Sequence, residues 1–152
     1  MKINTVIGNL KTYLTNDTWT SDSGTGNTSF KGVFTYENWQ YPESPYIVIL
    51  DGSGAGKLLT NRDFELTTPI TISICCRWDI IDKQDDTLKR EEAMLRIREA
   101  WDNIKTKLLL ISTETTLGAD LVFQPSFVDD EEGEFNLKRR NCVVNIKETI
   151  AR

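Results

Sequence analysis

Apolar and polar residues alternate through Phe64–Trp78, FELTTPITISICCRW. The even positions are Phe64, Leu66, Thr68, Ile70, Ile72, Ile74, Cys76 and Trp78, while Glu65, Thr67, Thr71, Ser73 and Arg77 fill most odd ones. A period of two over this length predicts a long strand with one buried and one wet face. Its β-branched residues suit a pleated surface. Pro69 lacks a backbone donor, which predicts a sheet edge or a bulge nearby.

A different period opens the chain. Ile3, Val6, Ile7, Leu10 and Leu14 fall on one stripe of a helix from about Lys2 to Thr15, ended by Asn16 and Asp17. The longest helical pattern follows the alternating strand, from about Asp86 to Leu109. Met94, Ile97, Trp101, Ile104 and Leu108 step by three and four, Leu88 and Leu95 widen the stripe, and Trp101 is its heaviest anchor. Asp85 and Asp86 suit the positive N-terminal end. Asp85–Lys89, Asp86–Arg90 and Glu92–Arg96 are spaced as i,i+4 pairs.

The remaining segments read as strands and connections. Residues 17–29 are small, polar and glycine-bearing, a mobile loop in which Trp19 either folds back on its own domain or anchors a partner. Phe30–Tyr36 predicts a strand with Phe30, Phe34 and Tyr36 on one face. Two prolines mark a turn over 39–45, and the apolar run Tyr46–Leu50 predicts a central strand covered on both faces. Leu108–Ile111 reads as the possible start of another strand, and Ala119–Val128 as a strand with an edge at Pro125. Phe135–Ile150 is the last strand. Its apolar phase changes from odd to even, which predicts a bulge near Arg139–Asn141. The expected fold class is α+β: one domain over 1–152, with a mixed, mostly antiparallel sheet, an N-terminal helix and a long helix packed on one face.

Two stretches carry candidate chemistry. Asp51–Lys57, DGSGAGK, invites comparison with a phosphate loop, which requires Gly, four residues, then Gly-Lys and a hydroxyl. Asp51 stands in the first glycine's place, Leu58 replaces the hydroxyl, and no helix pattern follows, so nucleotide binding is set aside. Gly52, Gly54, Gly56 and Lys57 then form either a connection between adjacent strands or a loop that orders against a partner. The second stretch is an acidic hairpin tip over 128–135. A turn at Glu132-Gly133 would leave Asp129, Asp130, Glu131 and Glu132 out of line with Lys138, Arg139 and Arg140. The hairpin is then either simply solvated, or one copy's acids meet the next copy's bases in a head-to-tail contact.

Composition narrows the chemistry. The 152 residues carry a net charge of −5, which disfavours nucleic acid as the main partner. Absence of histidine removes imidazole catalysis and histidine metal sites. Cys75, Cys76 and Cys142 include no CxxC pair and read as buried free thiols in a reducing compartment. No apolar run is long enough to span a bilayer and no signal-like start is present, so an intracellular protein is expected at synthesis. No cofactor, metal site or membrane partner is expected.

The order of elements resembles the tail terminator (tail completion) proteins of long-tailed bacteriophages. The resemblance rests on the Lys2–Thr15 helix, the early strand Pro45-Tyr46-Ile47-Val48-Ile49, Ile70–Trp78 leading into the Glu91–Leu109 helix, and the closing strand that ends ETIAR. The resemblance implies a non-enzymatic virion protein, assembled in the host cytoplasm. It implies a homo-hexameric ring that caps the tail tube, stops its polymerisation and offers a surface to the head–tail connector and neck proteins. By implication the sheet borders a channel through which the genome passes without sequence-specific binding, and the helices lie outside. Gly52–Lys57 and the Asp129–Arg140 hairpin would be the contact elements. That family carries no signature residues to transfer. Other head–tail joining or tail-tube ring proteins, a carboxylate-based hydrolase and a non-viral adaptor domain are the competing expectations.

Overall fold

The computed structural model describes residues 3–15, 17–21, 27–52, 55–58, 63–111, 120–123 and 126–151. Two 15-residue strands, β6 (Asp63–Arg77) and β9 (Leu137–Ala151), form its axis. They pair antiparallel without interruption from Asp63↔Ala151 to Arg77↔Leu137, a ribbon about 50 Å long at the usual rise per residue. On one side, β6 pairs with β4 (Tyr46–Asp51) and then with β5 (Ala55–Leu58). On the other, β9 pairs with β7 (Asp120–Phe123) and β8 (Val128–Glu132). The two-residue β3 (Val33–Phe34) adds a parallel edge to β4. The fold is α+β with a mostly antiparallel sheet, as the sequence predicts.

Both helices cover one face of this sheet. Helix α1 (Ile3–Thr15) contributes Val6, Ile7, Leu10 and Leu14. Helix α2 (Asp86–Leu109) contributes Ala93, Ile97, Ala100, Trp101, Ile104 and Leu108. They pack on Ile70, Ile72, Ile74 and Cys76 of β6 and on Cys142, Val144 and Ile146 of β9. The Asp85 carboxylate caps α2 by accepting from the Leu88 amide at 2.8 Å. Leu88 and Leu95, expected in the stripe, are each 43% exposed, and Ala93 and Ala100 take the buried positions instead. Small residues there let the helix lie close to the sheet. Of the three i,i+4 pairs, Glu92–Arg96 forms at 3.2 Å. The chain from Leu108 to Leu109 is still helix, so no strand starts there.

A second, smaller core corrects several expectations. Tyr46, Val48, Cys75 and Leu137 are buried on the opposite sheet face, under Phe34, Trp39, Tyr41 and Phe135. Both faces of β6 are therefore covered from Ser73 to Cys76, and the wet face of the alternating strand begins only before Ser73. Adjacent thiols separate accordingly, with Cys76 in the main core and Cys75 in the second. Phe30 and Phe34 do not share a face: Phe30 joins the main core, Phe34 the aromatic one, and Tyr36 is exposed. The phase change in the last strand has the same cause. Leu137 faces the second core while Cys142, Val144 and Ile146 face the first, and β9 runs past β6 with no bulge.

The irregularities lie in the flanking strands. Asp51 faces Ile70 and Ala55 faces Thr67, so the register of β5 on β6 is shifted by one residue from that of β4. That is the bulge expected near Pro69, and the Gly52 amide donates to the Pro69 carbonyl across it at 2.8 Å. Similarly, the predicted 119–128 strand divides into β7 and β8, whose registers on β9 differ by two residues. Pro125, where an edge was expected, lies outside the described residues. The expected mobile loop over 17–29 holds a small antiparallel pair, β1 (Thr18–Thr20) with β2 (Asn27–Ser29).

Candidate interaction surface

The acidic and basic blocks of the hairpin face each other. Glu132 pairs with Leu137, which leaves 133–136 as the connection: a 3-10 turn over Gly133–Phe135 and then Asn136 in the left-handed region at φ 52°. A turn centred on Glu132-Gly133 would have set a register four residues away. The actual register aligns Asp129 with Arg140, Asp130 with Arg139, and Glu131 with Lys138. The expectation that the acids lie out of line with the bases is thus overturned, because the longer turn brings Asp129, Asp130 and Glu131 onto Arg140, Arg139 and Lys138.

The contacts form a ladder. Arg140 donates from Nε and Nη2 to the two Asp129 oxygens at 2.8 and 2.9 Å. Arg139 does the same to Asp130 at 2.7 and 2.8 Å. Lys138 Nζ reaches Glu131 at 3.2 Å, and Arg90 of α2 approaches the same carboxylate at 3.7 Å. Two-pronged arginine–carboxylate pairs are the stronger kind. Arg140 is only 7% exposed, with its guanidinium 3.8 Å from the Phe127 ring centre, and Arg139 lies 4.8 Å from that of Trp39. The Asp130 hydrogen bond, followed by nearby negative charge, raises the Arg139 pKa despite partial burial.

The other candidates are placed elsewhere. Gly52 is exposed at the bulge, where an added Cβ would meet Pro69 Cγ at 3.3 Å. Gly54 lies outside the described residues. Gly56 is exposed on β5 with open space around it, and Lys57 holds the β5 position opposite Glu65. Gly52 and Gly56 thus lie at the bulge and in a strand, on the far side of β6 from the β8–β9 charge ladder. Trp19 is not a free anchor: its indole donates to Glu99 Oε1 at 3.0 Å and its ring meets Phe30 edge-on at 5.0 Å. Of the twelve candidates, the fold brings together only those of the β8–β9 arm.

Nothing among these groups is set up as a nucleophile or ligand. Burial raises the Cys76 thiol to about 11 and the Cys142 thiol to about 12, and pushes Cys75 upward as well. A thiol held protonated at neutral pH is a poor nucleophile and a poor metal ligand. Among the described residues, no cluster of acids and cysteines could hold a metal. No helix there is long and apolar enough to cross a membrane.

Sequence reasoning missed the exposed apolar positions of the sheet. Val122, Val128 and Val143 are 37%, 69% and 39% exposed, and their registers place them on the face that α1 and α2 leave uncovered. The aromatic run 34–46 covers that face only at the Cys75–Leu137 end. Their signal was an apolar residue at a wet-phase position, legible only once the register is known. The chain matches no known protein-family model and no curated protein.

Proposed function

We propose that this chain is a structural assembly protein of the tail-terminator kind: a subunit that forms a ring on the end of a phage tail tube, halts its growth and carries the neck. The observation that supports the reading is the asymmetry of the sheet. Two helices cover one face along the core, while among the described residues the other face is covered at one end and left open from Thr71 and Val143 onward. The open half carries Thr67, Thr71, Asn145, Lys147 and Thr149 with a few apolar side chains. Such a mixed surface suits contact with protein neighbours and a water-filled channel better than it suits enclosure of a small substrate. The high thiol pKa values and the paired carboxylates favour a non-catalytic role.

The test is native mass across a protein concentration series, with negative-stain images of each sample, alone and with tail tubes. A closed ring with an open centre, formed alone or on tube ends, is the expected result. A chain that stays monomeric and leaves tube growth unchanged overturns the proposal.

A further inference from the structure

We infer that copies of this chain join head to tail through their sheets, the β7 edge of one copy pairing antiparallel with the β5 edge of the next. This deepens the ring reading and rests on its premise that copies assemble.

Strand direction carries the inference. Across the sheet the order is β5, β6, β9, β7, every neighbouring pair is antiparallel, and the two outer strands are staggered: β5 lies against Phe64–Thr67 of β6 and β7 against Val144–Lys147 of β9, so they share only the Thr67–Lys147 row. An even number of alternating strands leaves two outer edges that run in opposite directions. Two copies in the same orientation, offset by two residues along the strands (about 7 Å), therefore bring these edges together in the antiparallel sense, with their outward amides and carbonyls facing. An odd number would have required an inverted neighbour. Because the two edges differ, the contact is heterologous and repeats from copy to copy, as a ring requires.

The same edges are the unguarded ones. Charged edge strands resist pairing with other chains, and β8, with Asp129, Asp130, Glu131 and Glu132 in sequence, is such a strand. At the same end β3 is two residues long, and its register stops at Ile47 and Val48, so it does not cover β5. By contrast, β5 (AGKL) and β7 (DLVF) carry one charge each. Among the described residues β5 pairs only with β6, and β7 only with β9. Val122 and Val143, both more than a third exposed, lie on one sheet face beside the β7 edge, where an incoming strand would flank them.

The test uses two single-cysteine additions, Ala55→Cys and Val122→Cys, made in separate chains. Ala55 pairs with Thr67 and Val122 with Asn145, so the two positions stand two residues apart along the strands and come opposite each other at the two-residue offset. The native thiols are at most 2% exposed and do not compete. Within one copy the two positions are three strand spacings apart, about 14 Å, beyond the roughly 7 Å that a disulfide can span between Cα atoms. Equal amounts of the two chains are mixed, oxidised with glutathione disulfide and analysed by non-reducing mass spectrometry. The 55–122 disulfide should exceed both like-with-like disulfides about tenfold, because a specific contact raises the local concentration of one thiol at the other. A statistical outcome, with the mixed product only about twice each like-with-like product, overturns the inference. Should either variant fold poorly, hydrogen exchange on the unaltered chain decides. The β5 and β7 amides should gain protection as concentration rises, and no change overturns the pairing. A closed ring without the mixed disulfide removes the edge contact and leaves the ring reading standing. The mixed disulfide in open chains, with tube growth unaffected, does the reverse.

Discussion

Lys107 shows how much one side chain can hold. Its ammonium donates to the Tyr13 carbonyl at the end of α1 and to Asp17 Oδ1 at 3.0 Å, and lies 4.4 Å from the centre of the Tyr13 ring. The Tyr13 hydroxyl in turn donates to the Lys107 carbonyl at 2.8 Å. A cation thus sits where two helices end, and both helix dipoles favour it. Asp17 Oδ2 is buried without a partner among the described residues, so removing Lys107 would strand a carboxylate. Lys107→Met should cost about 1.5–3 kcal/mol in denaturant unfolding. Adding Asp17→Asn should recover part of that loss, and strictly additive costs would refute the clasp. Asp79 supplies a pH test. The Arg77 hydrogen bond, against some burial, lowers its pKa. A lowered carboxylate contributes stability above its unfolded pKa of about 3.9 and loses it as pH falls through the lower folded value. Asp79→Asn should therefore melt below wild type at pH 6, with the gap closing toward pH 2.

At the scale of elements, the β8–β9 arm replaces one prediction with another. Reversing Lys138, Arg139 and Arg140 to glutamate would disturb the arm itself, since each base already holds an acid of its own chain. The effects should rank with burial, largest at Arg140 and smallest at Lys138. In a double-mutant cycle, Asp129→Arg with Arg140→Asp should return roughly 0.5–1.5 kcal/mol of the summed single losses. No coupling would mean that the pair is ornamental. Trp101, which meets Phe123 and Phe127 edge-on at 6.1 and 5.2 Å and is 8% exposed, should cost about 3–5 kcal/mol when changed to alanine. A melting point within a degree or two of wild type would contradict that. These elements also mark what the sequence discloses. Periodicity revealed α1, α2, β6 and β9, because each buries one face over a long stretch, and an unbroken apolar run revealed β4. It could not reveal the ladder, since one left-handed residue, Asn136, and a 3-10 turn decide the register. Nor could it reveal the second core, because Leu137 and Cys75 look out of phase until a second covered face explains them. The interaction surface was legible only as composition: Trp19 and the acidic run looked unpaired because their partners, Glu99 and the 138–140 bases, are fixed by tertiary structure.

Taken whole, the molecule is a long ribbon unevenly wrapped, and this should govern where it opens. From Ile70 to Cys76, all of β6 except Thr71 is buried, and Arg140, Cys142 and Val144 are buried opposite. From Asp63 to Pro69 every residue of β6 is only half-buried, while Lys147, Thr149 and Ile150 on β9 are exposed. The backbone ladder is nonetheless equally complete along both halves. If hydrogen-bond count set local stability, the two halves would exchange alike. If burial sets it, opening should begin at the Asp63–Ala151 end and require global unfolding at the other. Hydrogen exchange on monomeric protein distinguishes the two. Amides of Ile70–Cys76 and Arg140–Val144 should exchange only with global unfolding, and those of Phe64–Thr67 and Lys147–Ile150 at a lower free energy. Uniform protection along β6 would mean that the thinly covered half is held by contacts beyond those described. A graded profile would mean that the end bearing the open β5 edge is also the end free to adjust to a neighbour.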